Sequence, residues 1–388
     1  VAERVIAAPK GVGWRADVLQ TRIAIVGAGV VGLAIAERLS RRTDQVVVLE
    51  QADAPGQGTS SRNSGVVHAG LYYPEGSLKA RLCVAGNASL PAWCQSHQVP
   101  FRRVGKLVVA TRDAELPALE RLLALGQANG ATLQSVDAAW IRANEPEVSA
   151  VAGLFSPATG IVDAHALVAS LASAAVDRGV VLAPRHRVVG LRQAPGGWEL
   201  ELVSEGERST LRAQTVINAA GLHADDVAAL AGLEVDALGL RQTWVKGRYV
   251  RVRWRGRLAH LVYPVPAPGL VGLGVHVTLG LDGEVRLGPD QGPLDRRVED
   301  YTVDEACLPE FLEAARRYLP ALTLDALSPD SAGLRPKLLP AGRDFVVEEA
   351  SAHGLPGLVN LLGLESPGLT CALELGALVA GLVERPGS

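Results

Sequence analysis

Apolar residues along this chain fall into short runs separated by glycine-rich turns, and the first runs already predict a supersecondary unit. Arg22–Val26 (RIAIV) is a short continuous apolar run that reads as a buried strand. Gly27-Ala28-Gly29-Val30-Val31-Gly32 follows at once. Val30–Ser40 then carries apolar residues at helical spacing through Val31, Ala34, Ile35 and Leu39. Gln45–Leu49 (QVVVL) reads as a second buried strand and ends on Glu50. Strand, glycine turn, helix, strand and terminal acid together fit one βαβ unit.

Later runs alternate in the same manner. Leu107–Thr111 is strand-like, and Ala114–Ala128 reads as a helix through Leu116, Leu119, Leu122 and Leu123. Residues 187–191 and 198–202 pattern as a hairpin closed at Pro195-Gly196-Gly197. Thr215–Asn218 is a buried strand running into Ala219-Ala220-Gly221. From Leu240 to Leu287 the chain turns rich in Val, Trp, Tyr and Arg with period-two alternation, the pattern of an antiparallel sheet and of a second domain. The first style returns with a strand at Leu358–Leu362, a turn from Gly363 to Thr370, and a final helix.

Composition narrows the class. With 388 residues the chain exceeds the usual size of a single core. Hydrophobic residues at 48% and charged residues at 20% suit a globular protein and not a disordered one. A net charge of −3 supplies no basic excess, so a nucleic-acid partner is not expected. Cys83, Cys94, Cys307 and Cys371 lie far apart without a C-x-x-C pair, which fits a reducing compartment and offers neither a zinc site nor a disulfide framework. No apolar stretch is long enough for a transmembrane segment, and residues 1–20, with Glu3, Arg4, Lys10, Arg15 and Asp17, lack a signal-peptide core and read as a poorly ordered leader.

The glycine turn points to a dinucleotide. Gly27 permits the tight turn, Gly29 lets backbone approach a pyrophosphate, and Gly32 lets the helix pack on the strand. The amides around Ala28, Val30 and Val31 and the positive end of the helix dipole then face the phosphates. Glu50, with Gln51 beside it, is placed to accept hydrogen bonds from an adenosine ribose, which argues against a 2′-phosphate. A single fingerprint favours one dinucleotide. Gly56–Gly70 (GQGTSSRNSGVVHAG) is a second glycine- and hydroxyl-rich loop, in which Thr59, Ser60, Ser61, Asn63, Ser64, Gly65 and Val66 are candidates to complete a phosphate and flavin cradle.

At these segments the chain resembles the FAD-dependent glycine- and D-amino-acid-oxidase-like superfamily, and within it the L-2-hydroxyglutarate dehydrogenase/oxidase family. Asn63–Tyr73 (NSGVVHAGLYY), Gly76–Cys83 (GSLKARLC), Leu273–His276 (LGVH) and Leu364–Thr370 (LESPGLT) carry the likeness. It implies an α/β fold, α+β overall: a Rossmann-like FAD-binding domain of the glutathione-reductase-like, D-amino-acid-oxidase type with an inserted mixed antiparallel-sheet substrate domain. The FAD-binding domain is expected to comprise residues 21–96, 154–236 and 330–388, and the substrate or cap domain 97–153 and 237–329. The likeness further implies non-covalent FAD and oxidation of a small anionic 2-hydroxy acid, L-2-hydroxyglutarate first, by hydride transfer to flavin N5. Oxidation of an amino or imino acid is the alternative, and a flavin-binding partner without turnover is another. The electron acceptor is oxygen, a quinone or a carrier protein. The expected location is cytoplasmic, with peripheral attachment at the inner membrane left open.

Such a reaction needs a base and a carboxylate anchor. His68 is the base candidate, because histidine titrates near neutrality and this loop is the one the resemblance places over the flavin. In Gly333–Lys337 (GLRPK), Pro336 biases Arg335 to extended geometry, so Arg335 and Lys337 share a face suited to a carboxylate. Strand alternation puts Lys246 and Arg248 on the face of Val250, Val252 and Trp254, where an anionic ligand or an internal carboxylate would satisfy them, and turns Tyr249, Arg251, Arg253 and Arg255 outward. His276 shares a face with Gly272 and Gly274 if Val271–Leu279 is a strand, leaving room for a ligand or for a neighbouring strand; Tyr72 is a contact by position. Gly363, Glu365, Ser366, Pro367, Gly368, Leu369 and Thr370 are expected against the flavin, and Val188, Ala220 and Gly221 on its adenosine side. The chain departs from the family where Arg335-Pro336-Lys337 replaces R-A-Q and Lys246-Gly247-Arg248-Tyr249 replaces R-G-E-Y, which makes the expected pocket more cationic.

Overall fold

The computed structural model describes residues 19–254, 256–266, 274–294, 296–340 and 342–383. They fall into two compact units, one of residues through Ser61 with Ala164–Gln242 and Pro336 onward, the other of Arg62–Asp163 and Thr243–Arg335. Residues 62–96, 154–163 and 330–335, grouped above with the FAD-binding part, pack with the second unit, and 237–242 pack with the first. The reason lies partly in pairing: Val66–Val67 and Phe101–Arg103 both flank Gly160–Val162 in a small three-stranded sheet.

The first unit is built on an eight-stranded sheet. Its parallel centre runs Val181–Ala183, Val46–Leu49, Leu19–Val26, Glu207–Asn218 and Leu358–Leu362. The strand opens at Leu19, earlier than the apolar run, because Leu19 and Gln20 pair with Leu211 and Arg212. The rest of the expected leader lies outside the described residues. Arg187–Ala194 and Gly197–Ser204 form the antiparallel hairpin, extended beyond its apolar stretch by pairing of the second strand with Glu207–Asn218.

Helix Val30–Ser40 packs between helices Gly368–Val383 and Ala164–Val176. Its buried side chains Leu33 and Ile35 are 1% and 0% exposed, and each contributes about 1.5–3 kcal/mol by burial. Close approach sets where glycine is required. A Cβ on Gly32 would lie 2.0 Å from the Gly27 carbonyl oxygen, and one on Gly376 would lie 2.7 Å from that of Ala34. The carboxyl ends of the parallel strands align through Ala183, Leu49, Val26, Asn218 and Asn360, the edge at which ligands bind in sheets of this kind.

The second unit carries a nine-stranded mixed sheet. In spatial order its strands are Gly292–Pro293, Gln242–Val252, Val285–Leu287, Val277–Leu279, Leu261–Pro264, Lys106–Ala110, Ala152–Ser156 and Gln134–Asp137; Leu327–Leu338 pairs with Gln242–Val252. Leu261–Pro264 runs parallel to Lys106–Ala110 and antiparallel to Val277–Leu279. Leu107, Val108, Val262, Val277, Leu287, Phe311 and Tyr318 are among the core beneath it. Helix Leu78–Ser96, with Pro91 inside it, occupies a stretch the apolar pattern left unassigned.

Replacing Gly32 with Ala is expected to cost about 1–3 kcal/mol through overpacking of the helix on its turn. Thermal unfolding should show a midpoint lower by ~3–10 °C; an unchanged midpoint would mean that the helix yields freely at this contact.

Candidate active site

The first unit holds a cradle made largely of backbone. Gly27 has φ +104°, and a Cβ there would meet the Ala219 carbonyl oxygen at 2.5 Å. Gly29 is extended, with φ −72° and ψ 175°, and caps the helix. The first helical hydrogen bond runs from the Leu33 amide to the Gly29 carbonyl at 3.0 Å. The Val30 amide donates to Ser60 Oγ at 2.9 Å. Among the described residues the amides of Val31 and Gly32 have no protein acceptor, so the helix mouth offers them to an anion.

Glu50 is held rigidly. Its Oε2 accepts the Ala28 amide and its Oε1 the Ala52 amide, both at 2.8 Å. The Arg185 and His186 amides bond back to the Ala52 and Glu50 carbonyls, bringing the start of Arg187–Ala194 alongside. Val188 thereby packs with Val26 and Leu49, while Gln51 is exposed. Asn218 Nδ2 donates to the Ala224 carbonyl and to Asn360 Oδ1, and Asn218 Oδ1 accepts the Ala220 amide at 3.3 Å, shaping Ala220–Gly221. Gly363, at φ +69°, gives its amide to Gln242 Oε1 at 2.7 Å. A turn closed by the Gly368 amide on the Glu365 carbonyl then starts the final helix, with Pro367 and Thr370 buried, Leu369 half-buried and Ser366 exposed.

The hydroxyl-rich loop divides by role. Thr59–Ser61 is one 3-10 turn, and Ser61 Oγ bonds the Gln57 and Gly58 carbonyls, so it staples its own loop. In the second unit Asn63 Oδ1 accepts the Gly65 amide at 2.8 Å, and Gly65 bonds across to Val162. Val66 is buried in its short strand, and Ser64 hydrogen-bonds the Tyr249 hydroxyl.

The second unit gathers basic and phenolic groups. Lys106, 0% exposed, opens a strand whose every residue is buried, and its Nζ stands 3.4 Å from His68 Nδ1. The ammonium lies 4.1 Å from the Tyr263 ring centroid and 5.2 Å from that of Tyr72. His276 stacks on Tyr263 with centroids 3.7 Å apart, and its Nδ1 lies 2.8 Å from the Gly274 carbonyl oxygen. Since a carbonyl only accepts, His276 carries its neutral proton on Nδ1. The Tyr72 hydroxyl is buried without a protein partner among the described residues.

Withdrawal from water sets the charge of this cluster. Burial lowers Lys106 to about 7, with Cys83 opposing. Desolvation first, then Lys106 and His276, holds His68 well below its ordinary value. Burial takes His276 to about 3 against the opposing Gly274 hydrogen bond. The Arg335 guanidinium crosses Gly247, where a Cβ would lie 2.5 Å from Nη2, and hydrogen-bonds Tyr249. Among the described residues no carboxylate pairs with it.

Three cations expected in the pocket are committed elsewhere. Lys337 alternates with Arg335 as half-buried residues between buried Leu334, Pro336 and Leu338, but its Nζ is 3.3 Å from Glu365. Lys246 pairs with Asp300 at 2.7 Å, a bond that holds the Asp300 carboxyl well below its usual range. Arg248 pairs with Asp290 at 2.6 Å and Glu310 at 3.2 Å. The internal carboxylates are the partners, and the outward assignment of Tyr249 is corrected: it is 7% exposed, on the Gly247 face with Arg335. Arg255, Gly272 and the start of the expected Val271–Leu279 strand lie outside the described residues; the strand there is Val277–Leu279, and His276 precedes it. Lys106 was missed by motif reading, although a lysine opening the apolar run KLVVA was its signal.

Residues 22–382 match the family described as FAD dependent oxidoreductase. The chain belongs to that family. It is 36% identical over 397 residues to the mitochondrial L-2-hydroxyglutarate dehydrogenase of Arabidopsis thaliana, covering 92% of this chain and 82% of the relative. It is 29% identical over 397 residues to the L-2-hydroxyglutarate dehydrogenase of Escherichia coli K12, covering 93% and 92%. Among solved structures, L-α-glycerophosphate oxidase from Mycoplasma pneumoniae, reduced with dithionite and with FAD bound, superposes with a TM-score of 0.84 at 27% identity, covering 95% of this chain and 97% of that one.

As an FAD dependent oxidoreductase, the chain oxidises a small substrate with a fold that binds FAD. The cradle fits that cofactor. Two amides wait at the helix mouth, Gly29 bears no side chain beside Ser60 Oγ, and both Glu50 oxygens are pre-oriented with lone pairs left for ribose hydroxyls. Hydrogen bonds to a charged group contribute about 1.5–3 kcal/mol, so Glu50→Ala is expected to weaken FAD retention ~10- to 100-fold. Flavin absorbance per protein after dialysis measures it, and full occupancy would remove Glu50 from the cofactor contacts.

Proposed function

We propose that this FAD dependent oxidoreductase converts a small 2-hydroxy acid to the 2-oxo acid, with L-2-hydroxyglutarate as the leading substrate and FAD held without a covalent bond. The observation that carries the reading is Arg335, a guanidinium without a carboxylate partner among the described residues, in the unit that holds two neutral imidazoles and Lys106. Arginine offers a carboxylate two parallel donors in a fixed fork. Tyr249 steadies that fork, and Gly247 leaves it room.

FAD supplies the hydride acceptor. The protein's share is to hold the acid and remove the hydroxyl proton. His68 takes that proton: it is neutral, keeps part of its surface open, and its backbone is pinned by Asn87 Nδ2, which bonds the His68 and Ala158 carbonyls at 2.9 and 3.0 Å. His276 and the unpartnered Tyr72 hydroxyl are polar contacts for the substrate. The names of the Arabidopsis and Escherichia relatives support L-2-hydroxyglutarate. The likeness to L-α-glycerophosphate oxidase supports a second reading, an anionic alcohol bearing phosphate.

Anaerobic mixing with L-2-hydroxyglutarate should bleach the flavin absorbance. Bleaching by L-α-glycerophosphate alone would transfer the activity to the second reading, and a protein left yellow by both would defeat the proposal. His68→Ala should keep the flavin and slow its reduction by ~10²–10⁴. Arg335→Lys should raise KM for the acid ~10-fold or more, in line with about 1.5–3 kcal/mol for a charged hydrogen bond. Acid precipitation should release all the flavin to the supernatant.

A further inference from the structure

We propose that Lys106 is a positioning residue that receives, as a neutral amine, the proton His68 passes on from the substrate, so that His68 is competent only when Lys106 is uncharged. The proposal rests on the reading of His68 as the base and deepens it.

Geometry carries the argument. An imidazole that accepts a proton at Nε2 must hold its own proton at Nδ1, and Nδ1 needs an acceptor. In many such sites that acceptor is a carboxylate. Here the group at Nδ1 is the Nζ of Lys106, 3.4 Å away. A charged ammonium only donates, which would force the His68 proton onto Nε2 and abolish the lone pair. A neutral amine accepts Nδ1–H and so keeps the ring proton off Nε2.

The setting favours the amine. Lys106 is anchored in mid-sheet, paired with Leu261 on one side and Ser156 on the other. Facing it are His68, Tyr72, Cys83, Tyr263 and His276, with no carboxylate among them. Burial leaves Lys106 with a proton affinity near neutrality, well above that of either imidazole. His276 lacks such an outlet, because its Nδ1 is committed to the Gly274 carbonyl, which cannot take a proton.

In the forward step the substrate O–H bond breaks as Nε2–H forms, and the Nδ1–H bond breaks as a third Nζ–H bond forms. The imidazole ends neutral in its other tautomer and the lysine ends as the ammonium. To reset, Nε2–H is released to water while Nζ returns its proton to Nδ1.

The test uses the FAD-loaded protein labelled with ¹⁵N-histidine. With rising pH through neutrality, the His68 ring nitrogens should switch from the Nε2–H to the Nδ1–H tautomer, and flavin reduction in a single turnover should accelerate ~10-fold per pH unit before levelling off. Lys106→Met should erase both changes and slow reduction ~10²-fold. Lys106→Arg, permanently charged, should fail to restore the rate. Where Lys106→Met does not retain FAD, Lys106→Gln serves, since its amide oxygen can accept Nδ1–H but cannot take the proton. A Lys106 variant with the wild-type rate, pH profile and tautomer switch would overturn the relay while His68→Ala stays slow. A His68→Ala protein reduced at the wild-type rate would instead overturn the underlying base assignment.

Discussion

Lys106 is withdrawn from water without being given a carboxylate, and the chemistry of the second unit follows from that single constraint. An ammonium in such surroundings is costly, and the cost falls on the charged form alone. The rings of Tyr263 and Tyr72 moderate it through their quadrupoles without neutralising it. The same withdrawal from water, reinforced by the lysine when it is charged, holds His68 and His276 below the ordinary imidazole range. What results is a set of weakly basic groups in the same unit as the Arg335 guanidinium, which on the proposed reading is the complement of an anionic alcohol.

The first unit works by the opposite means. Its cradle is made, among the described residues, of amides at a helix mouth and a carboxylate fixed at both oxygens by backbone donors. Fixed dipoles of this kind need no reorganisation when a pyrophosphate arrives. They also tie binding to stability, because Gly27 and Gly32 serve the turn and the helix packing at once. On the proposed reading the two ends of the reaction thus rest on different physics: backbone geometry for the cofactor, desolvated side chains for the substrate.

That difference explains what could be read from the chain beforehand. Gly27, Gly29, Gly32 and Glu50 form a local motif, and every contact they make lies within one βαβ unit and its neighbours, so pattern and spacing suffice. His68 stands out in the sequence for its chemistry and its loop. Lys106 does not, because its importance arises from pairing between strands distant in sequence, Lys106 with Leu261 and Ser156. Alternation also misled at Tyr249: strand Gln242–Val252 has buried residues on both faces, Gly247 and Tyr249 on one and Val250 and Val252 on the other, so neither face is simply outward. The helix at Leu78–Ser96 escaped for a milder reason, an apolar pattern blurred by Asn87, Ser89 and Pro91.

On the proposed reading, the face that Gly247 opens bears on selectivity. Read as a string, Lys246, Arg248 and Lys337 make the pocket more cationic than the family pattern; in three dimensions Asp300, Asp290, Glu310 and Glu365 cancel them. The replacements therefore alter ion pairs rather than the charge offered to a ligand. Arg335 is a single guanidinium, matched to a single carboxylate or phosphate. Discrimination by the remainder of the substrate then falls to groups without formal charge, the Tyr72 hydroxyl and the Nε2 of His276 among them. Uncharged hydrogen bonds contribute about 0.5–1.5 kcal/mol each, so preference among anionic alcohols of different length should be graded rather than absolute, set by how many of these buried groups a given substrate leaves unsatisfied.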